Sequence, residues 1–342
     1  MRWLNSLYRS ERGASAVFVA ILLVPLIGFL AIALDVGALY AERAQLQNGA
    51  DAAAIAIARD CADGACDNPS GLAASFTAAN ANDGAANVDP PDIDLDAQTV
   101  TVSDSTRTDT GEDAVQHPFA SLIGTDSTTV GAAATAEWGP PGSGPVLALA
   151  LSWCEFQQSL GAEGALMTIR TDTNKTCKKS PSEEIIPGGF GWLDNTTAPC
   201  EATINLSLNL DAAGELWVGS DAGGSAPNDC KDRLPGLKNT PILVPIYDLV
   251  RGTGTTAEYR IFAFASFSIT GWNFPSTSDI DPLAPLCPPS AAKDCKKGSN
   301  WRGIQGVFVE MVSVDSAFGL GGPDLNAKTV RLIIPPEPME MP

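Results

Sequence analysis

The sequence predicts an α+β protein: an N-terminal transmembrane helix extended into an α+β unit, then a mainly-β, sandwich-like domain linked by disulfides. Three observations carry this. Residues 13–34 hold no charge, helix-favouring sequence continues beyond them to about residue 59, and short apolar runs with six of the eight cysteines fill the chain after residue 145.

The first element reads GASAVFVAILLVPLIGFLAIAL. Roughly 20 apolar residues at about 1.5 Å each cross the ~30 Å hydrocarbon core of a bilayer. Arg2, Arg9 and Arg12 precede the run against a lone Glu11, and Asp35 follows it. The positive-inside rule puts residues 1–12 in the cytoplasm and everything after Asp35 outside. Ala31-Ile32-Ala33 has the small-x-small form of a signal cleavage site, but the apolar run is longer than a signal core, so a retained anchor is expected.

The helix does not stop at the membrane. Between Pro25 and Pro69 there is no proline, and alanine, leucine, glutamine and arginine favour helix. Leu39, Leu46, Ala50, Ala53 and Ile57 recur at helical spacing and form one apolar stripe. Intramolecular packing is the first expectation for such a stripe. A helix over residues 14–59 would be on the order of 70 Å long, far more than a bilayer needs.

This segment resembles the N-terminal part of TadE/TadG-like proteins of the Flp (tight-adherence) pilus assembly system. The resemblance lies in Glu11-Arg12-Gly13, the apolar run, Asp35-Val36-Gly37, Tyr40, and Gln45-Leu46-Gln47-Asn48 leading to Ala50-Asp51-Ala52-Ala53-Ala54. It implies a pilin-like α+β unit over residues 35–138, and pilin or other pilus-assembly proteins as partners. Residues 117–139, HPFASLIGTDSTTVGAAATAEWG, are similar to the end of that family's first domain. Two departures bear on role. Prepilins of this system are cut after a glycine with glutamate five residues on, and here Phe18 stands five after Gly13. That favours an uncut assembly factor. Some relatives carry a DxSxS metal motif, but Asp104, Asp126 and Asp315 lack the second serine.

Residues 67–92 read as loop from their Ala, Asn, Asp and Pro content. Ile93, Leu95, Val100 and Val102 alternate as strand, residues 118–123 suit a short helix, and residues 132–138 another strand. Residues 139–145, GPPGSGP, read as a linker, and the mainly-β domain is expected over 146–334. Its strands are residues 146–153, 204–210, 241–250, 257–272, 307–314 and 330–334, with a hairpin at 251–256. The tail, 335–342, is expected to be disordered.

Every cysteine follows the apolar run, and the even number suits disulfides formed in an oxidising compartment. Cys61 and Cys66 suit a local bridge, and Cys287 and Cys295 could close another small loop. Cys154, Cys177, Cys200 and Cys230 could pair in three ways. The net charge of −19 repels phosphate backbones, so no nucleic-acid partner is expected.

No catalytic set emerges. Asp92, Asp94 and Asp96 have calcium-loop spacing, yet Ala97 and Ser103 stand where that loop needs glycine and glutamate. Gly252-Thr253-Gly254 lacks the third glycine of a dinucleotide loop. His117 is the single histidine and has no GxSxG elbow to serve. Trp192, Trp217 and Trp272 suit buried strand positions better than a glycan platform. The expectation is therefore a non-enzymatic membrane-anchored accessory, without cofactor or metal. The alternative is an anchored adhesin whose β domain binds glycan or protein, and an envelope hydrolase is a distant third.

Overall fold

The computed structural model describes residues 4–108, 110–119, 121, 127–159, 164–171, 176–177, 185–194, 198–208, 210–221, 226–253, 256–287 and 301–333. The chain is mixed α+β, and it divides into two compact units, Met1–Glu137 with Leu332–Pro342, and Trp138–Arg331.

The first unit is built on one long helix, α1 (Leu4–Ala62), which carries Pro25 without ending. From Val17 to Leu34 the large apolar side chains are exposed, and the helix is long and apolar enough to cross a membrane. The outer half buries the expected stripe: Leu46, Ala50, Ala53 and Ile57 are at most 2 % exposed, and Ala54 and Ala58 join them. Leu39 is half-buried.

The expected loop after α1 contains a second helix, α2 (Pro69–Asn80). Asn68 caps it, accepting the Gly71 N–H at 3.2 Å, and Pro69 supplies the pre-set φ of a first helical position. Those cap residues outweigh the loop-like composition around them. Short strands follow: β1 (Ala86–Val88), β2 (Asp92–Asp94), β3 (Thr99–Thr106), β4 (Val115–Gln116), β5 (Ser127–Thr128) and β6 (Gly131–Gly139). The long strand β3 pairs antiparallel with β6 on one edge and with β1 and β2 on the other. Its alternation turns Val100, Val102, Asp104 and Thr106 inward, where α1 packs; α2 lies against α1 and β1. Of the helix expected at 118–123, residues 120 and 122–126 lie outside the described residues; Ser121 N–H bonds the His117 carbonyl at 3.2 Å in a turn.

The second unit is mainly β. Its first half contains β7 (Pro141–Leu147), β8 (Leu149–Ser152), α3 (Trp153–Ser159), β9 (Met167–Arg170), β10 (Thr176–Cys177), β11 (Ile186–Pro187), β12 (Phe190–Trp192), β13 (Glu201–Asn205) and β14 (Trp217–Gly219). Then come α4 (Asn228–Leu237), β15 (Pro241–Arg251), β16 (Glu258–Phe274), β17 (Thr277–Asp279), β18 (Gly303–Phe308), β19 (Met311–Val314), β20 (Gly319–Leu320) and β21 (Ala327–Ile333). Among the described residues the main sheet runs β12-β8-β15-β16-β18-β9, with β14 and β17 also paired to β16. A three-stranded sheet, β13-β7-β20, packs on it.

Both faces of the main sheet are buried. Leu149, Leu151, Val244, Ile246 and Phe267 enter one core with α3 and α4. Ala148, Ala150, Tyr247 and Phe264 enter the other, against Val146, Ala202 and Ile204 of the smaller sheet. Double burial explains why ILVPIY and LALALS are unbroken apolar runs rather than alternating ones. Strands β15 and β16 pair from Pro241↔Ser268 to Arg251↔Glu258, as the hairpin reading requires; residues 254–255 of its tip lie outside the described residues.

Two expected features differ. Residues 139–145 are not a linker: from Pro141 onward they belong to β7, which pairs with β13 and β20. Its glycines permit close approach rather than flexibility. A Cβ on Gly142 would lie 2.7 Å from the Leu320 carbonyl oxygen, and one on Gly144 would lie 2.1 Å from the Phe318 ring. The strand expected at 204–210 ends at Asn205, because Asn205 Oδ1 accepts the Ser207 N–H at 2.9 Å and its carbonyl accepts Leu208 N–H at 3.2 Å. Leu208 and Leu210 are consequently exposed.

Disulfides tie Cys61 to Cys66 at the end of α1 and Cys200 to Cys230 between β13 and α4. Cys154 and Cys287 are also disulfide-bonded, and no described cysteine is free. Cys295, the side chain of Cys177 and residues 334–342 lie outside the described residues.

Candidate interaction helix

The outer half of α1 is where sequence signal and geometry coincide. Beyond the exposed apolar run, polar side chains fasten the helix to its own unit. Asp35 is 5 % exposed, and its Oδ2 accepts the Phe119 N–H at 3.3 Å. About three turns further on, Gln45 Oε1 accepts the Asn82 N–H at 2.7 Å. Gln47 Nε2 donates to Asp51 Oδ1 at 2.8 Å and to the Ala133 carbonyl of β6 at 3.2 Å. A generic anchor has no need of these polar residues. Here they fix the rotation of the helix, so that a particular face is buried.

Past Gln47 the helix meets α2. Gly49 is buried, and a Cβ there would come within 3.0 Å of Thr77 Cα and 3.4 Å of Asp104 Oδ2. Thr77 turns its hydroxyl back to the Ala73 carbonyl at 2.8 Å, which satisfies it inside the contact. The Cys61–Cys66 bridge closes the helix end, where the Asp60 carbonyl accepts the Ala65 N–H at 3.0 Å.

The other face is free within this unit. Val36, Tyr40, Ala41, Arg43, Ala44 and Asn48 are exposed, Tyr40 at 72 %. They continue the exposed apolar run with small and amphipathic side chains, a surface on which another helix can lie closely. Tyr40 belongs to the segment whose sequence carries the resemblance.

The electrostatics of the buried face are unusual. Asp104 stands at the third inward position of β3, 5 % exposed, and no other residue hydrogen-bonds either carboxylate oxygen; only its own backbone N–H is near enough to favour the anion. Burial, with smaller repulsions from Asp51 and Glu42, pushes its pKa up to about 7. Glu42 is raised as well, by burial and then by Asp83. Sequence reasoning missed Asp104 as a site residue, although its signal was present: the alternation Val100, Val102 continues onto an acid.

The remaining candidates are held in local contacts. His117 is buried at 4 % exposure with Nε2 bonded to Thr128 Oγ1 at 2.8 Å. Asp94 uses Oδ1 to accept the Asp96 and Ala97 N–H groups at 2.9 and 2.8 Å, closing a turn. No group of three or more His, Cys, Asp or Glu residues is placed to hold a metal among the described residues. Trp192 and Trp272 are buried in the core, and Trp217 is half-buried beneath the Arg251 guanidinium, 4.2 Å from the ring centre. In the second unit a cleft of about 410 Å³ is lined in part by Glu215 and the buried Asp248, and both carboxylates are committed to Arg260. No triad, metal centre or phosphate cradle is formed by the described side chains.

Comparison with known proteins gives a match in the same place. Residues 13–60 match the family described as putative Flp pilus-assembly TadE/G-like. The match covers α1 from the start of the apolar run to just before Cys61, including both the exposed face and the pinning residues. No curated protein and no solved structure matches the chain.

Proposed function

We propose that this chain, whose residues 13–60 form a TadE/G-like segment, is a membrane-anchored, non-enzymatic accessory of a Flp/Tad-type pilus or surface-secretion system. The observation that carries the reading is the division of α1 into an exposed apolar run and an outer half pinned by Asp35, Gln45 and Gln47. Such a helix joins a membrane anchor rigidly to a folded unit and leaves one face open for a second helix. The charge asymmetry at its ends supports a cytoplasmic N-terminus with both units outside. Disulfides in each unit support the same side. Phe18, where a prepilin would carry glutamate, supports an assembly factor that stays uncut.

A photo-crosslinking residue introduced at Tyr40 in living cells tests this. Covalent adducts with pilin-like or other single-pass pilus-assembly proteins are expected. Adducts from a second-unit position such as Leu283, with none from Tyr40, would contradict it, and would point to recognition through the β domain instead.

A further inference from the structure

We infer that Asp104 is a proton-operated latch: while its carboxyl is protonated α1 stays seated on α2 and β3, and loss of the proton loosens that seat. The geometry carries the inference. Asp104 sits on the inward face of β3 in line with Val100 and Val102, both fully buried. Its carboxylate lies against the α1 backbone at Gly49, where α1 also crosses α2 at Thr77. No other residue gives either oxygen a hydrogen bond; its own backbone N–H is the one donor beside it. A charged carboxylate in that position has lost its water and gained little in exchange, so the seated arrangement disfavours the anion.

The neighbours make matters worse for the charge. From α1 the titratable groups that face Asp104 are Glu42 and Asp51, both acids. Helix α2 contributes none, and neither does β1. On β6 the charged residue is Glu137, paired in register with Thr99 at the far end of β3, and on β2 Asp92 and Asp94 pair with Thr101 and Thr99 towards that same end. Arg107, next along from β3, is exposed. Asp83 adds a further negative charge beside Glu42. The position of the Asp104 pKa near neutrality puts the transition in a range that an exported domain meets.

Opening would occur at the weakest part of the seat. Along α1, the polar ties at Gln45 and Gln47 both lie just before the Asp104 contact at Gly49, while beyond it Ala50, Ala53 and Ala54 offer small side chains with little area to hold the helix down. A loosened α1 presents Leu46, Ala50, Ala53 and Ile57 as a second apolar face. The latch is a property of the folded unit and does not depend on the pilus reading, so the two fail separately.

The test is amide hydrogen exchange of α1 residues 46–58 in the purified full chain in detergent, corrected for the intrinsic pH dependence of exchange. In the native sequence, protection should fall by roughly tenfold or more between about pH 5.5 and pH 8.5. Asp104→Asn, which keeps the shape without the charge, should remove the fall and hold high protection at the upper pH. Constant protection in the native sequence, or an unchanged fall in Asp104→Asn, would overturn the latch. If Asp104→Asn does not fold, Glu42→Gln and Asp51→Asn serve instead. Each removes a repelling charge and should move the midpoint to lower pH, and an unmoved midpoint in both would overturn it equally.

Discussion

Gly49 of α1 and Thr77 of α2 meet so closely that a single Cβ on the glycine would stand 3.0 Å from the threonine Cα. The obstacle is backbone, which cannot rotate away. Gly49→Ala should therefore destabilise the first unit by about 1–3 kcal/mol, despite alanine's better helix propensity. Gly37, on the same helix, has nothing within 4 Å of a Cβ. Gly37→Ala should be neutral or stabilising, by up to about 1 kcal/mol. Urea unfolding of the two variants side by side separates packing from propensity.

Arg260 spans Asp248 and Glu215, with Nη2 2.6 Å from Asp248 Oδ2 and Nε 2.7 Å from its Oδ1. Asp248 is 1 % exposed, so the guanidinium compensates a carboxylate that water cannot reach. Removing it by Arg260→Ala should cost about 3–5 kcal/mol, because the buried charge remains. Arg251 and Glu258 form a pair at 2.6 Å, with side chains 50 % and 42 % exposed. Arg251→Ala should cost far less, because water screens this exposed pair. A guanidinium chloride series on both variants checks the contrast.

The pH dependence of stability has a definite sign at Asp104. Its folded pKa is raised from 3.8 to about 7, so between those values the folded chain holds a proton that the unfolded chain has released. Stability from this group is fully present below pH 3.8, declines as pH rises towards 7, and is flat above that. The effect is at most a few kcal/mol. Subtracting the Asp104→Asn stability curve from the native one isolates it from the other carboxylates. A difference that grows in the opposite direction would refute the assignment.

The Cys61–Cys66 bridge spans 5 residues at the end of α1. A loop that short constrains the unfolded chain modestly, so Cys61→Ser with Cys66→Ser should cost about 2 kcal/mol. The loss should be local: faster exchange of amides in the last turn of α1, with the second unit's melting unchanged.

Much of this architecture was legible in the sequence. The apolar run and the stripe through Leu46, Ala50, Ala53 and Ile57 reported α1, because a period of 3.6 survives in any window that long. Strands β15 and β16 were readable for a similar reason: eleven and seventeen residues leave a strong signal. Helix α2 was hidden, since its alanines and serine sit among loop-forming residues, and only Asn68-Pro69 announces it. Strand β7 was hidden by its prolines and by glycines that admit Phe318 and Leu320, far away in sequence. The candidate segment of α1 was visible as a motif, but not the reason for its polar residues. Gln45 and Gln47 reach Asn82 and Ala133, and no local pattern records such partners.

The central claim is that α1 is a retained anchor carrying oxidised units outside the cytoplasm. Intact mass of the chain extracted from native membranes, after alkylation of free thiols with and without prior reduction, tests it most directly. The account predicts a mass that includes residues 1–34, no alkyl groups before reduction, and all 8 cysteines modified after it. A mass beginning near Leu34, or cysteines that alkylate without reduction, would contradict it.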